Sequence, residues 1–238
     1  MADSRAELPI GTAAALPSCM NAFAPLAESS ETEVRKRHAI RLLLSACLKL
    51  LYRLDVRRME RVPREGPAII VCNHVSFIDW LFIAVALPRL PHFVMHEQHW
   101  RQRTFRWFFD LHHVIPIAPR KDSPERLETA LRSIRDALEA GELVMLFPEG
   151  DMTYDGELGV LRPGVERIVR EQPVPVVPLA LRGLWGSFFS RKGGAPMQKL
   201  PRRWRATVEV VAGLPLAPEQ VTTGRIATSL TALRGSLR

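Results

Sequence analysis

From residue 39 to residue 54, twelve of sixteen positions are apolar, and the four exceptions, Arg41, Ser45, Lys49 and Arg53, recur every four residues. On a helix a step of four drifts by only ~40°, so these four form one narrow polar stripe among apolar side chains. Sixteen helical residues span ~24 Å, short of the ~30 Å hydrocarbon core, and the stripe would put cations at mid-depth. The pattern predicts a basic amphipathic helix over 34–60 lying on a membrane surface, with Arg35, Lys36, Arg37, Arg57 and Arg58 flanking it. A long helix packed on a domain fits the same pattern.

Further along, the pattern breaks into short pieces. Residues 67–72 and 143–147 are continuous apolar runs, as strands buried on both faces require. Runs at 92–95, 114–117 and 206–211 predict further strands. So does 174–181, although Pro175 and Pro178 predict an edge position or a bulge for it. Helices are predicted at 77–87, stopped by Pro88, at 163–170 and at 217–235. The clearest is 124–140: Ser123 caps it, Pro124 takes the first turn, Leu127, Leu131, Ile134 and Leu138 share a face, and Gly141 ends it. Alternating strands and helices predict a single α/β domain, its sheet mostly parallel or mixed and flanked by helices, preceded by the amphipathic helix.

Composition narrows this only in places. Of 238 residues, 47% are hydrophobic and 24% charged, which excludes a collagen, a wholly disordered chain and a disulfide scaffold. Three scattered cysteines, Cys19, Cys47 and Cys72, form no framework and favour a reducing compartment. Residues 1–33 carry one basic and five acidic side chains among Ala, Ser and Pro, with no apolar period. They are expected to form a disordered tail, and they lack the basic and apolar regions of a secretory signal. The net charge of +8 points to an anionic partner: nucleic acid, an anionic membrane or a phosphorylated substrate.

Chemistry concentrates after two of the predicted strands, where open α/β sheets place their sites. His74 follows the first strand, and Asp79 falls in the first turn of the next helix, from which its side chain leans back towards His74. An Asp on the imidazole fixes the tautomer and supports a general base. The plainer alternative is a capping box between Ser76 and Asp79 beside a structural histidine. After the 143–147 strand comes Pro148-Glu149-Gly150, an acid that can bind a hydroxyl and a glycine that admits a ligand closely; alone it is an ordinary turn. Cys72 points away from His74 and is expected to be buried. His96-Glu97-Gln98-His99 lacks the i,i+4 spacing of a zinc helix, so no metal is expected. Residues 191–205 hold six basic side chains and Trp204. No nucleic-acid motif accompanies them, so either a loop facing lipid or CoA phosphates or a solvated loop is expected.

Three segments in this order, NHVSFID (73–79), FPEG (147–150) and VPVVPLAL (174–181), resemble the glycerolipid acyltransferase superfamily of lysophosphatidate acyltransferases. The resemblance implies that 61–238 is an acyltransferase domain. It would move a fatty acyl group from acyl-CoA or acyl-carrier protein to a lysoglycerolipid hydroxyl, with no cofactor beyond that donor. His74 would be the base and Asp79 its orienting acid, with Asn73, Glu149 and Gly150 at the acceptor. Arg120 would meet a head-group phosphate. Arg162 is a further candidate, for which a solvated side chain is the plainer reading. No residue suggests itself as oxyanion stabiliser. Two departures weaken the case for a phosphate monoester acceptor and predict tolerance of phosphodiester lysolipids: Met152 stands where many members have Arg, and Arg120 is displaced by about one position. Lysophosphatidate is the first expectation; another lysophospholipid, or a catalytically weak lipid-binding member, is the alternative. The place of action implied is the cytoplasmic face of a membrane, peripheral or monotopic.

Overall fold

The computed structural model describes residues 31–97, 114–119, 121–198 and 205–236. Its strands are β1 (Arg53–Arg57), β2 (Ala68–Cys72), β3 (His92–His96), β4 (Ile115–Ile117), β5 (Leu143–Leu146), β6 (Val176–Arg182) and β7 (Thr207–Ala212). Its helices are α1 (Glu31–Leu51), α2 (Asp79–Ala86), α3 (Pro124–Glu139), α4 (Gly164–Glu171) and α5 (Thr223–Arg234). Among the described residues the strands make one sheet in the order β1-β7-β6-β2-β5-β3-β4. All neighbours are parallel except β6 and β7, so the sheet is mixed.

β2 shows why its run is apolar without alternation. Ala68, Ile70 and Cys72 face a core layer with Leu48 of α1 and Phe82 and Ile83 of α2. Ile69 and Val71 face the opposite layer, with Leu131, Ile134 and Leu138 of α3, Ile168 of α4 and Ile226 of α5. Each fully buried side chain of this size contributes ~1.5–3 kcal/mol. α3 starts and stops as its sequence predicts. Ser123 Oγ accepts the Arg126 N–H, Pro124 sits in the first turn, and Gly141 has φ +79°.

The chain departs from the expected pattern in two places. The first is the helix expected over 34–60. It begins at Glu31, inside the stretch expected to be tail, and stops at Leu51, while residues 1–30 lie outside the described residues. Arg53–Arg57 is instead a strand paired with β7 from Arg53↔Thr207 to Arg57↔Val211. The polar stripe is also not a single feature. Arg41 turns inward and donates to the carbonyls of Val85 and Leu87, at the C-terminal end of α2, where a cation suits the helix dipole. Leu42, Leu43, Leu50 and Leu51 point the other way and are 42–68% exposed. Among the described residues no helix is long and apolar enough to cross a membrane.

The second is β6, which does not lie at an edge; it sits between β2 and β7. The irregularity that Pro178 requires lies opposite it instead. Between the pairs Leu179↔Ala212 and Val176↔Leu216, β6 advances three residues and its partner four. The extra residue bends the partner chain away from the missing Pro178 N–H, and Gly213 N–H donates to the Pro178 carbonyl at 2.7 Å.

β2 is also where the chain order switches. It leaves β2 towards β3 on one side, and from β5 it crosses to β6 on the other. The crevice of such a sheet opens at the carboxyl ends of β2 and β5.

Candidate active site

His74 lies two residues beyond β2. Its Nδ1 is 2.9 Å from Asp79 Oδ2. The same oxygen accepts the backbone N–H groups of Val75 (2.6 Å) and Ser76 (2.9 Å), so the carboxylate holds the turn as well as the ring. Of the capping box only the half from the Ser76 N–H to the Asp79 carboxylate is formed. Ser76 Oγ has no hydrogen-bond partner among the described residues, and the N-cap of α2 is Ile78. Asp79 is fully buried, which raises its carboxyl above the usual range; the His74 ring and the two amides pull the other way. The Phe147 ring lies flat on the imidazole, 4.1 Å between centroids and 16° between planes. An anionic Asp79 accepts from Nδ1–H and leaves Nε2 bare, the state a general base needs.

Glu149 sits beside this pair without touching the His74 ring. Its Oε1 accepts the His74 backbone N–H at 2.8 Å and its Oε2 the Gly159 N–H at 2.7 Å. Burial raises its carboxyl too, opposed by those two amides. The Thr153 N–H closes the link by donating to the His74 carbonyl at 2.9 Å. The 149–153 turn is thus tied to the base's backbone from both ends, and both Glu149 oxygens hold the protein together. Glu149, expected at the acceptor, therefore also braces the backbone of the base.

Asn73, also expected at the acceptor, is tied into the fold as well. Its amide makes a two-way bond with the Leu181 backbone, Nδ2 donating at 2.9 Å and Oδ1 accepting at 2.9 Å, and the residue is 2% exposed. It joins the end of β2 to β6 and offers no polar atom to an acceptor. Cys72 is wholly buried, and burial first, then Asp79 and Glu149, holds its thiol well above the usual range; it is no nucleophile.

Gly150, at φ +73°, is required as glycine. A Cβ there would lie 2.5 Å from Arg162 Nε and 2.6 Å from its Cζ, because the guanidinium lies across this backbone. Arg120, and with it the expected phosphate contact, lies outside the described residues, as do His99, His112 and His113. Residues that sequence pattern alone did not single out are Gly159 and Thr153, which brace the turn, and Arg191, which counted only as one of the basic side chains of 191–205. No local signal marks any of them, since their partners are 10, 79 and 40 positions away.

His74 opens onto a cavity of about 550 Å³. Its wall is mostly apolar, with Trp80, Phe93, Met95, Leu131, Leu146 and Ile168, and Arg162 and Arg191 also line it. A mostly apolar cavity with an imidazole in its wall suits an acyl chain.

An α/β domain with a His–Asp pair at its switch point, beside a mostly apolar cavity, defines the class. The chain belongs to the Acyltransferase family, whose model matches residues 53–182. It is similar to the chloroplastic 1-acyl-sn-glycerol-3-phosphate acyltransferase BAT2 of Brassica napus, at 28% identity over 63% of this chain and 43% of the relative. It is also similar to the 1-acyl-sn-glycerol-3-phosphate acyltransferase of Bacillus subtilis, at 25% identity over 59% of this chain and 68% of the relative. The chain spans less than half the length of the two plant relatives it matches. In fold it is similar to the crystal structure of the 1-acyl-sn-glycerophosphate acyltransferase PlsC from Thermotoga maritima. The TM-score is 0.65 at 19% identity, covering 86% of this chain and 81% of that one.

Proposed function

We propose that the protein transfers a fatty acyl group from acyl-CoA or acyl-carrier protein to the free hydroxyl of 1-acyl-sn-glycerol-3-phosphate, giving phosphatidate. The observation that carries this reading is the His74–Asp79 pair, whose histidine lines the mostly apolar cavity. His74 Nε2 takes the proton of the acceptor hydroxyl as its oxygen attacks the thioester carbonyl carbon. The C–S bond then breaks, and the imidazolium returns the proton to the departing thiolate. Asp79 keeps the ring in one tautomer and stabilises its cation, while Phe147 restricts its swing. The proposed reaction uses no metal and no cofactor beyond the acyl donor.

Thiol release from palmitoyl-CoA and from palmitoyl-acyl-carrier protein, measured with a panel of lysophosphatidate, lysophosphatidylcholine, lysophosphatidylethanolamine and 1-monoacylglycerol, tests it. Release is expected to depend on acceptor and to be fastest with lysophosphatidate; no acceptor-dependent release with any of the four would end the reading.

The reaction is placed at the cytoplasmic face of a membrane, where both lipids reside. The exposed leucines of α1 form the apolar face that would enter the interface. Replacing Leu42, Leu43 and Leu50 together by Asp should abolish co-sedimentation with anionic vesicles, since each buried leucine is worth ~1.5 kcal/mol or more, roughly tenfold in affinity. Unchanged sedimentation would show that this face is not the contact.

A further inference from the structure

Two cations flank the turn that carries Glu149. On one side the Arg162 guanidinium lies across Gly150. On the other, Arg191 reaches in from a loop forty residues away. One of its terminal nitrogens donates to the Met152 carbonyl, and the other meets Asp151 Oδ1 at 3.1 Å. Its guanidinium carbon sits 3.9 Å above the centre of the Tyr154 ring. Asp151 is itself fixed, because Oδ1 accepts the Met152 N–H at 2.7 Å and the Tyr154 hydroxyl lies 3.4 Å from Oδ2. Burial alone would raise the Asp151 carboxyl, but the Met152 amide and Arg191 outweigh it and hold it below the usual range.

Three contacts on one guanidinium are more than a solvated loop arginine needs. They hold a planar fork in one orientation while two of its five N–H groups are engaged, leaving donors for a ligand. Arg191, Arg162 and His74 all line the same cavity. The turn between the two arginines is bonded to the His74 backbone through Glu149 and Thr153. An anion held by the two guanidinia is thereby placed in fixed register with the base.

We infer that Arg191, with Arg162, binds the phosphate of the acceptor and so selects a lysolipid whose phosphate monoester sits on the carbon next to the reacting hydroxyl. The inference rests on the function proposed above. It also bears on the departure at position 152. Met152 is almost wholly buried, and the cation expected on its side chain is supplied instead at its carbonyl by Arg191. Asp151 and Tyr154 act as positioning residues for that cation. Arg167 lines the cavity as well, but it pairs with Glu128 and Glu171 outside it.

The test measures KM for lysophosphatidate, for 1-monoacylglycerol and for palmitoyl-CoA in the full chain and in Arg191→Ala and Arg191→Lys. Loss of a charge-assisted contact should raise KM for lysophosphatidate roughly 10- to 100-fold in Arg191→Ala. The KM for palmitoyl-CoA and the rate with 1-monoacylglycerol should change far less than the KM for lysophosphatidate. Arg191→Lys keeps the charge beside Asp151 but loses the fork, so it should show a smaller rise in the same direction. It serves as the deciding variant if the alanine protein does not fold. Inorganic phosphate should compete with lysophosphatidate in the wild type and more weakly in either variant. An unchanged KM for lysophosphatidate in Arg191→Lys and in any folded Arg191→Ala protein would overturn the inference and leave the proposed function standing. Equal rises for lysophosphatidate and 1-monoacylglycerol would overturn it too, by showing a general distortion. Absence of wild-type transfer to every acceptor would overturn the function itself.

Discussion

Two acids stand next to each other at the carboxyl edge of the sheet, and they are used in opposite ways. Asp79 gathers three donors on one oxygen, including the His74 ring. Glu149 divides its oxygens between two backbone amides and reaches the ring only through charge, without a hydrogen bond to it. Both are buried, and burial raises both carboxyls. Burial and a shifted carboxyl therefore do not distinguish a carboxylate that serves chemistry from one that serves architecture; the partner does. Asp79 acts on the charge of the base, whereas Glu149 acts on where the base's backbone sits.

The sharpest way to break this contrast is to remove the base and its acid. His74→Ala should lower kcat by ~10²–10⁴-fold. Asp79→Asn should lower it by a comparable ~10²–10⁴-fold, through the tautomer and the lost support of the imidazolium. In both, the melting temperature should stay near the wild-type value, as the amide of Asn can still meet the turn. Near-normal turnover in either variant would take the pair out of the reaction.

Glu149→Gln should show the reverse balance. A glutamine oxygen satisfies one of the two amides and its NH2 opposes the other, so unfolding should become easier by ~1–3 kcal/mol. At ~2–4 °C per kcal/mol for a chain of this size, the midpoint falls visibly, while kcat changes less than in Asp79→Asn. A collapse of kcat at an unchanged midpoint would mean that Glu149 touches the acceptor after all, as the sequence suggested.

The smallest effect concerns pH. A carboxyl raised in the folded state binds its proton more tightly there than in the unfolded chain. The stability it adds is present below the ordinary carboxylate range and is lost as pH rises through the folded value. Urea midpoints should therefore decline over that interval, and Glu149→Gln should make the decline shallower. Identical pH slopes in the two proteins would remove Glu149 from that account.

The sequence made His74 and Asp79 legible because the contact is local: a strand end, a turn and the first turn of a helix, the two residues five positions apart. The strands were legible because β2 is covered on both faces and has no reason to alternate. What was not legible depended on distant partners. Nothing near Glu149 announces that Gly159 and the His74 amide will occupy it. Nothing near Asn73 announces Leu181. Pro178 suggested an edge because the extra residue that accommodates it lies on another strand. Arg53 continued the four-residue rhythm of α1, yet its backbone pairs with β7. Arg41 resembled a lipid-facing cation until the carbonyls at the end of α2 claimed it.

The Arg162 guanidinium occupies the space where any side chain at position 150 would begin. Positions 150 and 162 are therefore one unit of inheritance rather than two. A change at 150 evicts the arginine whatever the new residue offers, while a smaller residue at 162 makes room at 150 but gives up a charge. A smaller residue at 162 does not by itself open position 150, because φ +73° there strains any side chain whatever the space.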